Sequence, residues 1–173
     1  MTIEIEPRKT LALRLTPRIL ALQLSKEYRK PLESPSCDQA DPQGLVTRSF
    51  HFVGKGRDQI VSVRCHAKTM VGFMKALRKA PTIQVTQSSE SKYSGSYRSY
   101  DQQKLLYDEY KAGTGHKAAH PCSGLHRQGR ALDLYKLTGE ETEAMTAVRV
   151  SGIKFYHGVV FGDPPHWALG MLG

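Results

Sequence analysis

Three side chains able to share one cation stand out in this chain of 173 residues: His126, Asp133 and His166. If Arg130 to Lys136 forms a strand, Ala131, Asp133 and Tyr135 share one face while Leu132 and Leu134 face the core. Asp133 then sits mid-strand among apolar neighbours, an expensive place for a carboxylate unless a cation or hydrogen bonds compensate. His126 lies seven residues earlier in a loop, and Gly129 gives the backbone freedom to bring it back over the strand. His166 follows Pro164 and Pro165, which fix φ and stiffen its approach. Two histidines and one carboxylate leave a coordination position for water, a common composition for catalytic zinc. Asp163, three residues before His166, is placed to take a proton from that water as it attacks a carbonyl.

Each of these residues alone has a plain structural explanation, and their combination carries the weight. A second group, His116, His120 and Cys122, lies beside His126, but loop histidines are common and the first set already satisfies a metal. His157 is read as a strand residue. Cys37, Cys65 and Cys122 are an odd number with no CxxC pair, which suits a reducing compartment of synthesis and gives no disulfide framework, so three free thiols are expected.

The elements that must position these groups follow from periodicity. Residues 10 to 15 alternate as a half-buried strand would, and Thr16-Pro17 opens a helix with Leu20, Leu24 and Tyr28 at helical spacing. Pro31 to Gly44, rich in Pro, Ser and Asp, reads as a linker. Ser49 to Val53 and Gln59 to Arg64 predict a hairpin around Gly54-Lys55-Gly56. Ala67 to Lys79 predicts a helix, with Met70, Phe73, Met74 and Leu77 on its buried face and cations at its C-terminal end. Thr82 to Thr86 predicts a strand, Tyr100 to Lys111 a helix ending at Gly113, Glu140 to Val150 a helix, and Ile153 to Phe161 a final strand.

Composition excludes some classes. The apolar share of 39% with 24% charged residues is ordinary for a globular protein, and no stretch approaches the roughly 18 apolar residues of a membrane span. The first thirty residues intersperse Arg8, Lys9, Arg14, Arg18, Lys26 and Arg29 among apolar ones, so they lack the apolar core of a secretory signal. A net charge of +9 favours anionic partners, but the cations are spread without a dense run or a nucleic-acid-binding motif, so no nucleic-acid partner is expected.

Three motifs together resemble a known family, the zinc peptidoglycan peptidases that include VanY- and VanX-like D-alanyl-D-alanine peptidases and phage L-alanyl-D-glutamate endolysins. Its signature, SxHxxGxAxD followed by an acidic residue three before a histidine, is similar to HRQGRALD at 126 to 133 and DPPHW at 163 to 167. Tyr97-Arg98-Ser99 with Gln103 resembles the family's YRSxxxQ segment. Gly124 stands where the family usually has serine, and Ser96 where it usually has glycine.

The resemblance spans roughly residues 66 to 169. It implies zinc on His126, Asp133 and His166, with Asp163 as base. It implies Arg98 at the oxyanion or a substrate carboxylate, and Tyr97, Ser99, Gln103 and Trp167 near substrate.

The expected fold is α+β: a small antiparallel sheet carrying the metal site, flanking helices, and a short N-terminal extension. Residues 1–60 are expected to form that extension and 61–173 the catalytic domain. The expected activity is cleavage of peptidoglycan stem peptides by a phage-type L-alanyl-D-glutamate endopeptidase, acting as a monomer. The alternatives are a D-alanyl-D-alanine carboxypeptidase and a non-catalytic wall-binding or virion structural protein. Synthesis in the cytoplasm without a signal peptide, with action at the bacterial cell wall after phage-mediated release, completes the expectation.

Overall fold

The computed structural model describes residues 18–30, 32, 37, 40–54, 57–86, 95–157 and 166–170. It is a mixed α and β fold in which every strand pairing is antiparallel. The strand expected at residues 10 to 15 and the base Asp163 lie outside the described residues.

After the short helix α1 (Lys26–Arg29), the first sheet is a hairpin of β1 (Leu45–Gly54) and β2 (Arg57–His66), in register from Leu45↔His66 to Gly54↔Arg57. Alternation sends Phe50, Phe52, Val61, Val63 and Cys65 inward, while Ser49 and Ile60 face out. Chain direction then reverses into helix α2 (Ala67–Lys79), whose N-cap is His66: its Nδ1 accepts from the Lys68 amide at 3.1 Å. Met70, Phe73, Met74 and Leu77 are buried as their spacing predicts, and Phe50 meets Phe73 edge-on at 5.4 Å.

The second sheet has the order β3-β6-β5-β4, formed by Ala131–Asp133, His166–Gly170, Ile153–His157 and Arg149–Val150 respectively. Its inner face presents Leu132, Trp167, Leu169 and Phe155 to the core shared with α2. Gly72 lets the helix approach, because a Cβ there would lie 2.6 Å from the Phe155 ring. Helices α3 (Tyr100–Lys111) and α4 (Gly139–Thr146) each start at a capping box, Ser99 with Gln102 and Thr138 with Glu141.

Several expectations are corrected. The boundary expected at residue 60 falls inside β2, and Ile19, Leu22, Phe50 and Phe52 lie in one core cluster with Leu132, Phe155 and Trp167 of the second sheet. Helical residues 18–23 bury Ile19 and Leu22, whereas Leu20 and Leu24 are exposed. Thr82 to Thr86 contributes only the single bridge Val85↔Leu134. The helix expected to reach Val150 ends at Thr146, because the positive-φ pair Ser151-Gly152 turns Val148 to Ile153 into a tight hairpin. Cys37 and Cys122 form a disulfide, leaving only Cys65 as a free thiol. No helix among the described residues is long and apolar enough to cross a membrane.

Candidate metal centre

Asp133 on β3 and His166 on β6 are register partners, so their side chains project side by side from the outer face of the sheet. The small residues Ala131 and Ala168 are the next pair on that face. His126 arrives from the loop between α3 and β3. There the Gly129 amide donates to the His126 carbonyl at 3.0 Å and the Arg130 amide to the Leu125 carbonyl at 2.9 Å. Gly129 sits at φ +66°, and a Cβ there would come within 2.6 Å of the His66 backbone nitrogen, so the turn requires glycine.

The three donors converge. His126 Nε2 lies 3.0 Å from Asp133 Oδ1 and 3.1 Å from His166 Nδ1, and His166 Nδ1 lies 3.3 Å from Asp133 Oδ1. The opposite nitrogen of His126, Nδ1, donates to the Ser96 carbonyl at 2.7 Å, which can only accept. In the neutral imidazole Nε2 therefore carries a lone pair aimed at a carboxylate oxygen. Burial, the largest influence, holds the His126 pKa below its ordinary value despite Asp133. A proton could relieve the clash of acceptors only by charging a buried ring or neutralising the carboxylate.

Burial also works against the Asp133 carboxylate. Where His126 is protonated, its charge and hydrogen bond, with the hydrogen bond from His166 and the charge of Arg98, outweigh that burial and hold Asp133 well below the usual range. Ligand bonds of 2.0–2.1 Å in a tetrahedron give donor separations of about 3.3–3.4 Å. The observed triangle matches that within a few tenths of an ångström, and the donor set fits a divalent metal. Among the described residues these three are the group that could hold one.

No family model, curated protein or solved structure matches this chain.

The arrangement must therefore be read from its own chemistry. Residues 95–98 tie the two donor-bearing segments together. The Gly95 carbonyl accepts from the Asp133 amide at 2.7 Å, the Ser96 carbonyl orients His126, and the Arg98 amide donates to the His126 carbonyl at 3.3 Å. Arg98, expected to face the reacting carbonyl, donates through Nη2 to Asp133 Oδ2 at 2.6 Å, leaving Oδ1 turned to the histidines. It holds a candidate ligand in place.

The residues expected near substrate are each held by contacts within the fold. Tyr97 is 5% exposed, and its hydroxyl donates to Asp41 and accepts from Arg127 Nη1 at 3.0 Å. Ser99 caps α3, and buried Gln103 donates to the Ala119 carbonyl at 2.8 Å. Trp167 points away from His166, as neighbours on a strand must, and stacks on His157 at 4.4 Å. The secondary cluster does not form a site, because Cys122 is in the disulfide and His120 packs edge-on against Tyr107.

Sequence reasoning missed Ser96, Arg127 and Asp41. Ser96 acts through a backbone carbonyl, which has no residue signature. Arg127 stands at an unspecified position of the motif, and only its place beside His126 could have drawn notice.

Proposed function

We propose that the chain is a zinc-dependent peptidase that cuts peptidoglycan stem peptides, an L-alanyl-D-glutamate endopeptidase of the phage-endolysin kind. The observation that carries this reading is the convergence of three metal-type acceptors, with His126 locked by Ser96 in the tautomer a ligand needs. The order of the YRS, HxxGxAxD and DPPHW motifs along the chain supports the choice of reaction.

His126, Asp133 and His166 would hold the ion, which when bound supplies Lewis acidity toward a carbonyl and toward water. Arg98 and Ser96 keep the donors pointed inward. Asp163 takes the proton of the attacking water and passes it to the leaving amine. Asp163→Asn should retain zinc and lose activity by on the order of 10²- to 10⁴-fold.

Digestion of purified peptidoglycan by the zinc-loaded protein, with new termini identified by mass spectrometry, tests the reading. New amino-terminal D-glutamate, and equal cleavage of a stem peptide whose terminal carboxylate is amidated, are the expected results. Release of D-alanine from the free acid alone would replace the endopeptidase with a carboxypeptidase. Wall binding without any new terminus would leave a non-catalytic protein.

A further inference from the structure

Cys37, Ala40 and Asp41 are fastened to the metal centre at several points. Cys37 is bonded to Cys122, four residues before His126. The Ala40 carbonyl accepts from Arg127 Nη2 at 2.5 Å, and Arg127 directly follows His126. One Asp41 oxygen accepts from the Tyr97 hydroxyl and the other from Arg64 Nη2 at 2.7 Å, while the Arg64 guanidinium lies over the Tyr97 ring at 4.8 Å. Tyr97 stands between Ser96, which orients His126, and Arg98, which holds Asp133.

Arg127 is 2% exposed, and its two hydrogen-bond acceptors are the Ala40 carbonyl and the Tyr97 hydroxyl. A buried guanidinium that loses an acceptor must be rehydrated or move, and its neighbour in the chain is a ligand. The polar fastenings are individually modest because Asp41 is half exposed to competing water. The disulfide keeps them together by holding Ala40 and Asp41 at high effective concentration beside their donors.

We propose that Cys37, Ala40 and Asp41 form a strap that positions the His126 loop, and that its disulfide makes the metal affinity of the site depend on thiol redox state. The metal half of this inference rests on the reading of His126, Asp133 and His166 as zinc ligands. Closure is thiol–disulfide exchange with a disulfide reagent. The thiolate of one cysteine attacks the reagent and releases one thiol, and the second cysteine displaces the other half as a second thiol. Two electrons pass from the cysteine sulfurs to the reagent, and their two protons end on the released thiols. Cys37 is exposed and Cys122 partly so, whereas Cys65 is fully buried and stays out of the exchange.

The test uses the full chain in three forms: oxidised, reduced with a phosphine, and as the double variant Cys37→Ser, Cys122→Ser. Zinc alone is titrated against a chelating indicator, and amide hydrogen exchange is followed at Gln128, Gly129 and Arg130, whose N–H groups close the loop. Reduction should weaken zinc binding by roughly 10- to 100-fold, as loss of ligand-supporting contacts does, and speed exchange at those three amides. Oxidised glutathione should restore both in the native chain and neither in the double variant. Equal affinity and equal exchange in both redox states would overturn the strap. So would collapse of the whole fold on reduction, seen by circular dichroism, since the bond would then be a global staple. If neither state binds zinc, the ligand assignment and the redox-dependent affinity fail together, while the exchange contrast still decides whether the strap positions the loop.

Discussion

Asp133 and His166 reach the candidate metal centre from paired strands, whereas His126 reaches it from a loop, and the two routes fix a side chain by different means. On the sheet, the ladder between β3 and β6 sets the spacing and the core beneath sets the facing: Leu132 and Trp167 are buried, so their neighbours must point out. In the loop no ladder exists. His126 is held by a left-handed glycine, one backbone carbonyl, a buried arginine and the strap beyond it. A sheet-borne ligand thus inherits the stability of the core, while a loop-borne one depends on polar contacts that mutation, pH or reductant can remove singly.

The largest effects should not distinguish the two routes. His126→Ala, Asp133→Ala and His166→Ala should each remove bound zinc and hydrolysis, with affinity falling by more than roughly 100-fold, beyond what supporting residues cost. Elemental analysis of the purified variants checks this, and full zinc in all three would discard the site.

The comparison is sharpest in the next pair. Leu132→Ala, beneath the sheet ligands, should cost about 2–5 kcal/mol of stability by chemical denaturation while the folded protein keeps its zinc affinity. Gly129→Ala should cost about 1–2 kcal/mol for the left-handed backbone, with the crowding at the His66 backbone in addition, and weaken zinc binding more than Leu132→Ala does. The reverse ranking in zinc titrations would remove the distinction between the routes.

Arg98 acts on the sheet ligand through a charged contact. Arg98→Ala should lower zinc affinity by roughly 10- to 100-fold and Arg98→Lys by less, since an ammonium can still reach Asp133 Oδ2 but cannot fix its plane. Equal affinity in the wild type and both variants would leave Arg98 no hold on Asp133.

The smallest expected effect is alkaline. Burial and then the hydrogen bond to Asp41 push the Tyr97 pKa up to about 12, against 10 for the unperturbed phenol. Between those values the folded chain retains a proton that the unfolded chain has lost, so the contribution is complete below about pH 10 and fades as pH rises to about 12. The loss should be on the order of 1–2 kcal/mol and should be missing from Tyr97→Phe. Parallel melting profiles for the two proteins across that window would show that the phenol does not couple to the fold.

The same division explains what could be read from sequence. Strand alternation placed Asp133 opposite the core, and the 3.6-residue period of Met70, Phe73, Met74 and Leu77 gave α2, because both patterns are set by burial of many side chains at once. The helical spacing of Leu20 and Leu24 does not fix the facing of residues 18–23, since so short a turn lets either Leu20 and Leu24 or Ile19 and Leu22 be the inner side, and only the packed neighbours decide. The Ser96 carbonyl, the Arg127 contacts and the pairing of Cys37 with Cys122 were illegible because each depends on residues distant in sequence. Gly129 was the exception in the loop, legible because a tight return has few other solutions.

β6 is the last described strand in chain order but sits inside the second sheet, between β3 and β5. β3 therefore has no strand to join it to the β4–β5 hairpin until residues 166–170 insert, and the same event delivers His166 to Asp133. Folding of this sheet waits on its most distant contact, which makes it slow relative to the local β1–β2 hairpin and α2. A growing chain would accordingly hold a formed hairpin and helix while His126, Asp133 and His166 were still apart, and the three donors would come together in one step with closure of the sheet.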